Sequence, residues 1–217
     1  MKMLIRSLFL SGILLTSGFS AYADSKSNAD NLIFSVMRKG DEIGTHVIKF
    51  DRSPEKLHVT IQTNVVVTLP LIPIPVYKFE HDGEEFWSAQ KLNHLISVTN
   101  DDGAAHKLDV NTSGETLSVV GDGIMMESLN TIIPASLWNK QIINSQKILN
   151  TLDGHEMAVS ITDMGEEQIE ASGETISAQH FKIAGDLNRE VWYDVNERLV
   201  GVKFEGSDGS EIHYILQ

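Results

Sequence analysis

The sequence predicts an all-β protein: a single antiparallel meander curled into a barrel or an open half-barrel, with one short helix. Two observations lead to this prediction. Apolar and polar residues alternate in short runs over most of the chain, which is the period of half-buried strands. Asp-Gly pairs recur between these runs, and both residue types tolerate the positive φ angles of tight hairpin turns. Curling or covering such a sheet would protect its edges.

The N-terminal segment 1–23 has the pattern of a cleavable signal peptide. Lys2 and Arg6 flank the start of a short apolar run, and a small-x-small site ends at Ala23. The apolar run is shorter than the roughly 20 residues of a membrane-spanning helix. We therefore expect cleavage between Ala23 and Asp24, with an uncleaved N-terminal anchor as the alternative.

After cleavage, residues 24–30 form a polar segment that we expect to be flexible, and residues 31–217 form a single β domain. No linker or shift in composition divides that range. Within it we expect strands at about 31–38, 45–51, 57–69, 76–81, 84–88, 92–100, 106–111, 116–120, 147–151, 157–163, 174–184, 189–194, 199–205 and 210–216. Asp-Gly turns are expected at 82–83, 102–103, 122–123, 153–154 and 208–209.

The short helix is predicted around residues 134–143. Pro134 suits a first helical turn, and Leu137, Trp138 and Ile142 follow at helical spacing.

The chain is acidic and contains no cysteine. It holds 17 Lys and Arg against 30 Asp and Glu, and the predicted cleavage removes Lys2 and Arg6 but no acidic residue. Such a chain repels phosphate backbones, so nucleic acid is not an expected partner. The absence of cysteine excludes disulfides, thiolate sites and the lipidated cysteine of a lipoprotein. An exported, disulfide-free chain of this size fits the periplasm of a Gram-negative bacterium.

Residues 59–77 contain no charged residue, although charged residues make up 22% of the chain. The stretch begins as a strand with an apolar face and a polar face that includes Asn64, and it ends in the apolar, proline-rich segment 69–75. Proline disfavours both a helix and a central strand there. The segment either packs as a loop over one end of the barrel or stays exposed as an apolar lip that contacts a membrane, a partner or a ligand.

The candidate contact residues are few. Four of them lie in the uncharged stretch: Asn64, Leu71, Ile72 and Ile74. The other three candidates are the tryptophans Trp87, Trp138 and Trp192. Aromatic side chains of this size either anchor a core or line a ligand cavity.

The sequence shows no catalytic motif and predicts no metal and no cofactor. The eight histidines fall singly, most of them at polar strand positions or beside turns, so we expect them to be solvated. The S-x-x-K spacings at Ser53 and Ser88 lack their partner motifs, and Glu84-Glu85 and Glu166-Glu167 would point to opposite faces of a strand.

Several short motifs together resemble those of a family of exported proteobacterial proteins described only as a domain of unknown function. The motifs are 77–81 (YKFEH), 99–103 (TNDDG), 136–139 (SLWN), 152–154 (LDG) and 191–194 (VWYD) followed by Leu199-Val200. The resemblance covers most of the mature chain. It implies a Gram-negative source and a periplasmic β domain, and it supplies no activity, ligand or catalytic residue.

Three hypotheses about function follow. The first is a periplasmic binding or carrier module for an apolar or amphipathic small molecule, held between the concave sheet face and segment 69–75. The second is an envelope protein that contacts another protein and has no ligand or transmembrane segment after processing. The third is a hydrolase whose site is assembled only in space. A cavity of several hundred cubic ångströms would favour the first.

Overall fold

The computed structural model describes residues 31–69 and 72–217. The predicted signal peptide, its cleavage site at Ala23 and Asp24, and Leu71 lie outside the described residues. No helix in the described part is long and apolar enough to cross a membrane.

The described chain is built almost entirely of strands. They are β1 (Leu32–Arg38), β2 (Asp41–Arg52), β3 (Lys56–Leu69), β4 (Ile72–Ser88), β5 (Lys91–Asp101), β6 (Ala104–Ser113), β7 (Thr116–Gly121), β8 (Ile124–Leu129), β9 (Ile133–Pro134), β10 (Lys147–Leu149), β11 (Glu156–Ala171), β12 (Glu174–Gly185), β13 (Arg189–Tyr193), β14 (Leu199–Glu205) and β15 (Glu211–Leu216). One 3-10 turn covers Lys140–Asn144.

These strands form one 15-stranded sheet in the order β8-β7-β6-β5-β4-β3-β2-β1-β15-β14-β13-β12-β11-β10-β9. Strands β1 and β15 pair antiparallel in the middle of this order, so the two ends of the domain meet there. All neighbours are antiparallel except β9 and β10, which pair in parallel. The sheet is not closed, because β8 and β9 each have one free edge. The predicted all-β class and antiparallel meander are confirmed.

Strand β3 shows why these residues form a sheet with a covered and a solvated face. Val59, Ile61 and Val65 are buried, whereas Gln62 and Asn64 between them are exposed. Side chains alternate in direction along a strand, so one face of β3 joins the core and the other meets solvent. The same strand, like β2 and β4, places polar side chains among its inward residues, and these form the site described below.

The predicted turn at Asp82-Gly83 is wrong, because both residues lie inside the 17-residue strand β4. A Cβ on Gly83 would lie 3.0 Å from the His81 Nε2 atom, so glycine here leaves room for a neighbouring ring within the strand. The turns at 102–103, 122–123 and 208–209 do connect neighbouring strands. Strands β8 and β9 were missed by the sequence analysis.

The described residues 72–75 of the proline-rich segment form an edge strand, where the sequence had suggested a loop. Pro73 and Pro75 belong to β4, and the part of β4 before Phe79 pairs with β3 alone. Proline is tolerated there because no second neighbour needs its missing N–H. Ile74 is 62% exposed and Val76 is 48% exposed.

The helix is shorter than predicted and begins later. Pro134 pairs with Leu149 in the short parallel bridge, and only Lys140–Asn144 forms a 3-10 turn. The Asn139 side chain caps this turn by accepting a hydrogen bond from the Gln141 backbone N–H.

Residues 130–155, the crossing segment, pack into the curl of the sheet. Ile142, Ile148 and Leu149 are fully buried in the main core. The Ser97 hydroxyl on β5 donates to the Thr151 carbonyl at 2.5 Å, and a Cβ on Gly121 of β7 would lie 2.4 Å from the Asp153 carbonyl oxygen. The crossing segment therefore closes the interior between the two halves of the sheet.

Candidate ligand-binding cavity

A cavity of about 330 Å³ lies between the sheet and the crossing segment. Side chains that supply polar groups include His46, Thr63, His81, Ser136, Arg189 and Tyr214. Apolar side chains include Ile61, Phe79, Leu137, Leu187, Val202 and Phe204. Two wider clefts of about 570 and 860 Å³ lie around Trp138, and the larger one is next to the C-terminal end of β4, away from its prolines. Many residues of their walls are exposed, whereas all residues lining the smaller cavity except Asp186 are buried or half-buried. We therefore take the smaller cavity as the candidate site.

One wall of the cavity is a row of polar side chains across four strands. His46 on β2 pairs with Thr63 on β3, Thr63 pairs with His81 on β4, and His81 pairs with Thr99 on β5. His46 Nδ1 lies 2.7 Å from Thr63 Oγ1, and His81 Nδ1 lies 2.7 Å from Thr99 Oγ1. Because the residues stand in direct register, the sheet itself sets the spacing of this histidine–threonine row.

Both histidines of the row are buried and neutral. Burial lowers the pKa of His46 to about 3, and the nearby His81 lowers it further. Burial lowers the pKa of His81 to about 4, although Asp82 opposes the shift. Within the described chain neither Nε2 atom has a hydrogen-bond partner. Each Nε2 atom can therefore form one hydrogen bond, and the tautomer of the ring decides whether the atom donates or accepts.

Aromatic rings link the histidine row to the only guanidinium of the cavity wall. The rings of His46 and Tyr214 lie 5.1 Å apart, and those of Tyr214 and Phe204 lie 5.8 Å apart. The Arg189 guanidinium carbon lies 3.9 Å from the centre of the Phe204 ring. This is a cation–π contact that holds the guanidinium plane in place.

Arg189 carries a charge that no neighbouring group neutralises. Within residues 31–69 and 72–217 no carboxylate lies within ion-pairing distance of it, and its one hydrogen bond goes to the Asn188 carbonyl at 2.8 Å. Burial lowers the pKa of Arg189, whereas Tyr214 opposes the shift. Burial raises the pKa of Tyr214 to about 12, so its phenol stays protonated. The cavity thus combines a fixed cation, a phenol and two neutral imidazoles.

The crossing segment is anchored beside the cavity by a buried carboxyl group. Glu85 Oε2 accepts hydrogen bonds from the indoles of Trp87 at 2.9 Å and Trp138 at 3.0 Å. Burial raises the pKa of Glu85, and the nearby Ser136 hydroxyl and the two indole donors oppose this shift. Ser136, from the crossing segment, therefore faces Glu85, and neither Glu85 Oε1 nor Ser136 Oγ bonds to any further group in the described structure.

This arrangement is suited to binding. Histidines with a pKa of about 3 or 4 are weak proton acceptors near neutral pH, where an efficient general base has a pKa close to that of its surroundings. No group of three or more metal-ligating side chains occurs in the part of the chain that the structure describes.

The residues that the sequence analysis singled out lie elsewhere. Asn64 is on the exposed face of β3, Ile72 begins β4, and Ile74 is exposed near the beginning of β4. Trp87 and Trp138 line the 860 Å³ cleft. None of the residues Asn64, Ile74, Trp87 and Trp138 belongs to the cavity wall.

Trp192 on β13 packs against residues of the β11–β12 hairpin. Its ring stacks on His180 at 4.3 Å, its indole donates to Glu167 at 2.9 Å, and it is 8% exposed. Ile169 of the same hairpin approaches Gly201 of β14 beside the Trp192 ring. Trp192 is also outside the cavity wall.

The expectation of solvated histidines is wrong for His46 and His81, which are 9% and 7% exposed. A signal was present in the sequence. His46 shares the parity of the apolar Ile48 and Phe50, so it faces inward on the same strand. Arg189 had no such signal, because its place in the cavity depends on the folding of β13 against β14.

A family model described as a domain of unknown function (DUF6134) matches residues 34–217. No curated protein matches the chain. Among solved structures, the chain is similar to a β-barrel-like protein of a domain of unknown function, DUF1849, from Brucella abortus. The TM-score is 0.62 at 10% sequence identity, covering 86% of this chain and 94% of that one. At this identity the likeness concerns the fold alone.

Proposed function

The chain belongs to the DUF6134 family of unknown function, and we propose that it is a binding or carrier module for an amphipathic small molecule. The ligand occupies the cavity between the sheet and the crossing segment. The observation that supports this proposal is the wall itself, in which apolar side chains lie beside inward polar groups, and the Nε2 atoms of His46 and His81 have no hydrogen-bond partner in the described structure.

Buried polar groups without partners are costly, and folded proteins keep few of them. In this cavity the Nε2 atoms of the buried residues His46 and His81 have no hydrogen-bond partner among the described residues. Water or a ligand must supply their partners. Ile61, Leu137 and Val202 beside them favour a ligand that is partly apolar.

The size of the cavity limits the ligand to a small molecule. A volume of about 330 Å³ equals roughly ten water molecules. It lies at the lower end of the range of small-molecule sites, about 300 to 1,000 Å³. A single short acyl chain with its head group fits this space, whereas a two-chain lipid is too large to enter completely.

The compartment is part of the proposal. The signal-peptide pattern of residues 1–23 and the absence of cysteine support export and action in the periplasm as a released protein. Sequencing the N-terminus of protein recovered from a periplasmic fraction tests this directly, and we expect it to begin at Asp24.

Native mass spectrometry of the exported protein tests the ligand. We expect a bound small molecule in the wild type, its loss in Leu187→Trp, and its retention in Val195→Trp. Leu187 is a half-buried cavity residue, whereas Val195 is 92% exposed and outside the wall. The same bulk is therefore added inside and outside the site. A wild-type protein without ligand, or one whose ligand survives Leu187→Trp, contradicts the proposal.

The second candidate function is contact with another envelope protein. The exposed side chains of Ile74 and Val76, near the beginning of β4, favour it because they form an apolar edge on a part of the strand with one unpaired side. Photo-crosslinking from position 74 in cells separates the two functions. A specific protein adduct supports the interaction module, and a carrier gives few adducts.

A further inference from the structure

The cavity contains a charge whose partner is missing, and this charge defines the ligand further. We propose that the ligand carries an anionic group and that Arg189 binds it. This inference rests on the proposed function, because it names the chemical class of molecule that the same cavity accepts.

The first step is that Arg189 is partly buried and has no counter-ion among the described residues. Its guanidinium lies against the Phe204 ring, at 3.9 Å, in a wall built mainly of apolar and aromatic side chains. No carboxylate of the described chain pairs with it. A partly desolvated cation without a counter-ion is unfavourable in the empty protein, and an anion entering the cavity would offset that cost.

The second step is the geometry of the donors. Stacking on Phe204 occupies a face of the guanidinium, and the N–H groups along its edge remain available except for the one bonded to Asn188. A planar fork of N–H groups matches the oxygens of a carboxylate or a phosphate. Tyr214, whose hydroxyl has no hydrogen-bond partner among the described residues, lies beside Phe204 and supplies a further donor.

The third step concerns the other charged group of the wall, Asp186. Its Oδ2 atom accepts a hydrogen bond from the Ala158 backbone N–H at 2.8 Å, and it forms no ion pair with Arg189. His46 and His81 are neutral and add no charge. Arg189 is therefore the one cation of the wall, which fits a ligand with a single anionic head.

The net charge of the chain strengthens this assignment. At −13 the protein repels anions in general. Anion binding then requires a local, fixed cation, and an apolar tail in the same cavity supplies the remaining binding energy. The shared chemistry is a carboxylate or a phosphate monoester on a short apolar chain.

Isothermal titration with three probes of one chain length tests the proposal at neutral pH: octanoate, octyl phosphate and octanol. We expect at least one anionic probe to bind the wild type about tenfold or more tightly than octanol, the gain of a charged hydrogen bond. Tighter binding of octanoate than of octyl phosphate identifies a carboxylate ligand. Tighter binding of octyl phosphate identifies a phosphate ligand.

The variant Arg189→Met should lose the preference, so that the ratio of its affinities for the anionic probe and for octanol falls to about one. Lys182→Met is the control, because it removes an exposed cation from the neighbouring strand β12, outside the cavity wall. It should keep the preference. Equal binding of all three probes to the wild type, or a preference that survives Arg189→Met, overturns this inference alone. Binding of none of them overturns the proposed function with it.

Discussion

Glu85 Oε2 accepts a hydrogen bond from the Trp138 indole at 3.0 Å, across 53 positions of sequence. The same oxygen accepts one from Trp87 at 2.9 Å. This contact joins the crossing segment to strand β4 and fixes the wall opposite the histidine row. Glu85 is 1% exposed and burial raises its pKa, so the neutral acid is favoured relative to an exposed glutamate.

The role of Glu85 as an acceptor predicts different effects for two substitutions. Glu85→Ala should lower the free energy of unfolding by about 2–4 kcal/mol, because two indole N–H groups lose their acceptor and a void is left. Glu85→Gln keeps a neutral acceptor of similar shape and should cost less than about 1.5 kcal/mol. Urea unfolding measures both. Equal losses would contradict the acceptor role.

The two buried histidines predict that acid weakens the fold. An unfolded histidine takes up a proton near pH 6.5, whereas folded His46 and His81 do so only near pH 3 and pH 4. Between about pH 5 and 6 the unfolded state therefore binds more protons, and stability falls as the pH falls. His46→Asn or His81→Asn should each reduce the slope of unfolding free energy against pH by about 1.4 kcal/mol per pH unit.

A further variant calibrates this measurement. Glu85→Gln should make the slope steeper, because a carboxyl with a raised pKa binds an extra proton in the folded state and opposes the histidines. A slope that both buried-histidine variants leave unchanged would show that these rings are not neutral in the folded protein.

The contact between the crossing segment and strand β7 predicts a steric effect at Gly121. A Cβ there would lie 2.4 Å from the Asp153 carbonyl oxygen, so Gly121→Ala should cost about 1–3 kcal/mol of stability. Gly206→Ala is the matched change, since its nearest contact would be an ordinary 3.4 Å. Thermal unfolding of the two variants should separate them clearly. Similar melting temperatures would mean that Asp153 does not approach β7 so closely.

The exposed apolar edge predicts that its side chains contribute little to stability. Ile74→Ser and Val76→Ser should each change the free energy of unfolding by less than about 0.5 kcal/mol, because both side chains already meet solvent. Val65→Ser on the paired strand β3 should cost about 2–4 kcal/mol, since Val65 is 8% exposed and packs in the smaller core. Chemical denaturation compares the three. A large loss at Ile74 would place it in a packed environment.

Most strands were predictable because the alternation of side chains is a local property. The run on β3 and the turns at Asp102-Gly103 and Asp208-Gly209 show this, since each depends on adjacent residues only. The errors arose where tertiary contacts override local preference. Asp82-Gly83 stays inside β4 because paired strands flank it on both sides, and Pro134 pairs with Leu149 where helical spacing suggested a helix.

The sequence by itself determined the all-β class, the acidic character and most strand positions, because these follow from composition and short-range periodicity. Only the tertiary structure decided the candidate site. His46, His81 and Arg189 come from three strands and meet through cross-strand register and the curl of the sheet, with the crossing segment forming the remaining wall. A residue's parity indicates which face it occupies, but the partner across the cavity depends on contacts between distant strands, which no local pattern records.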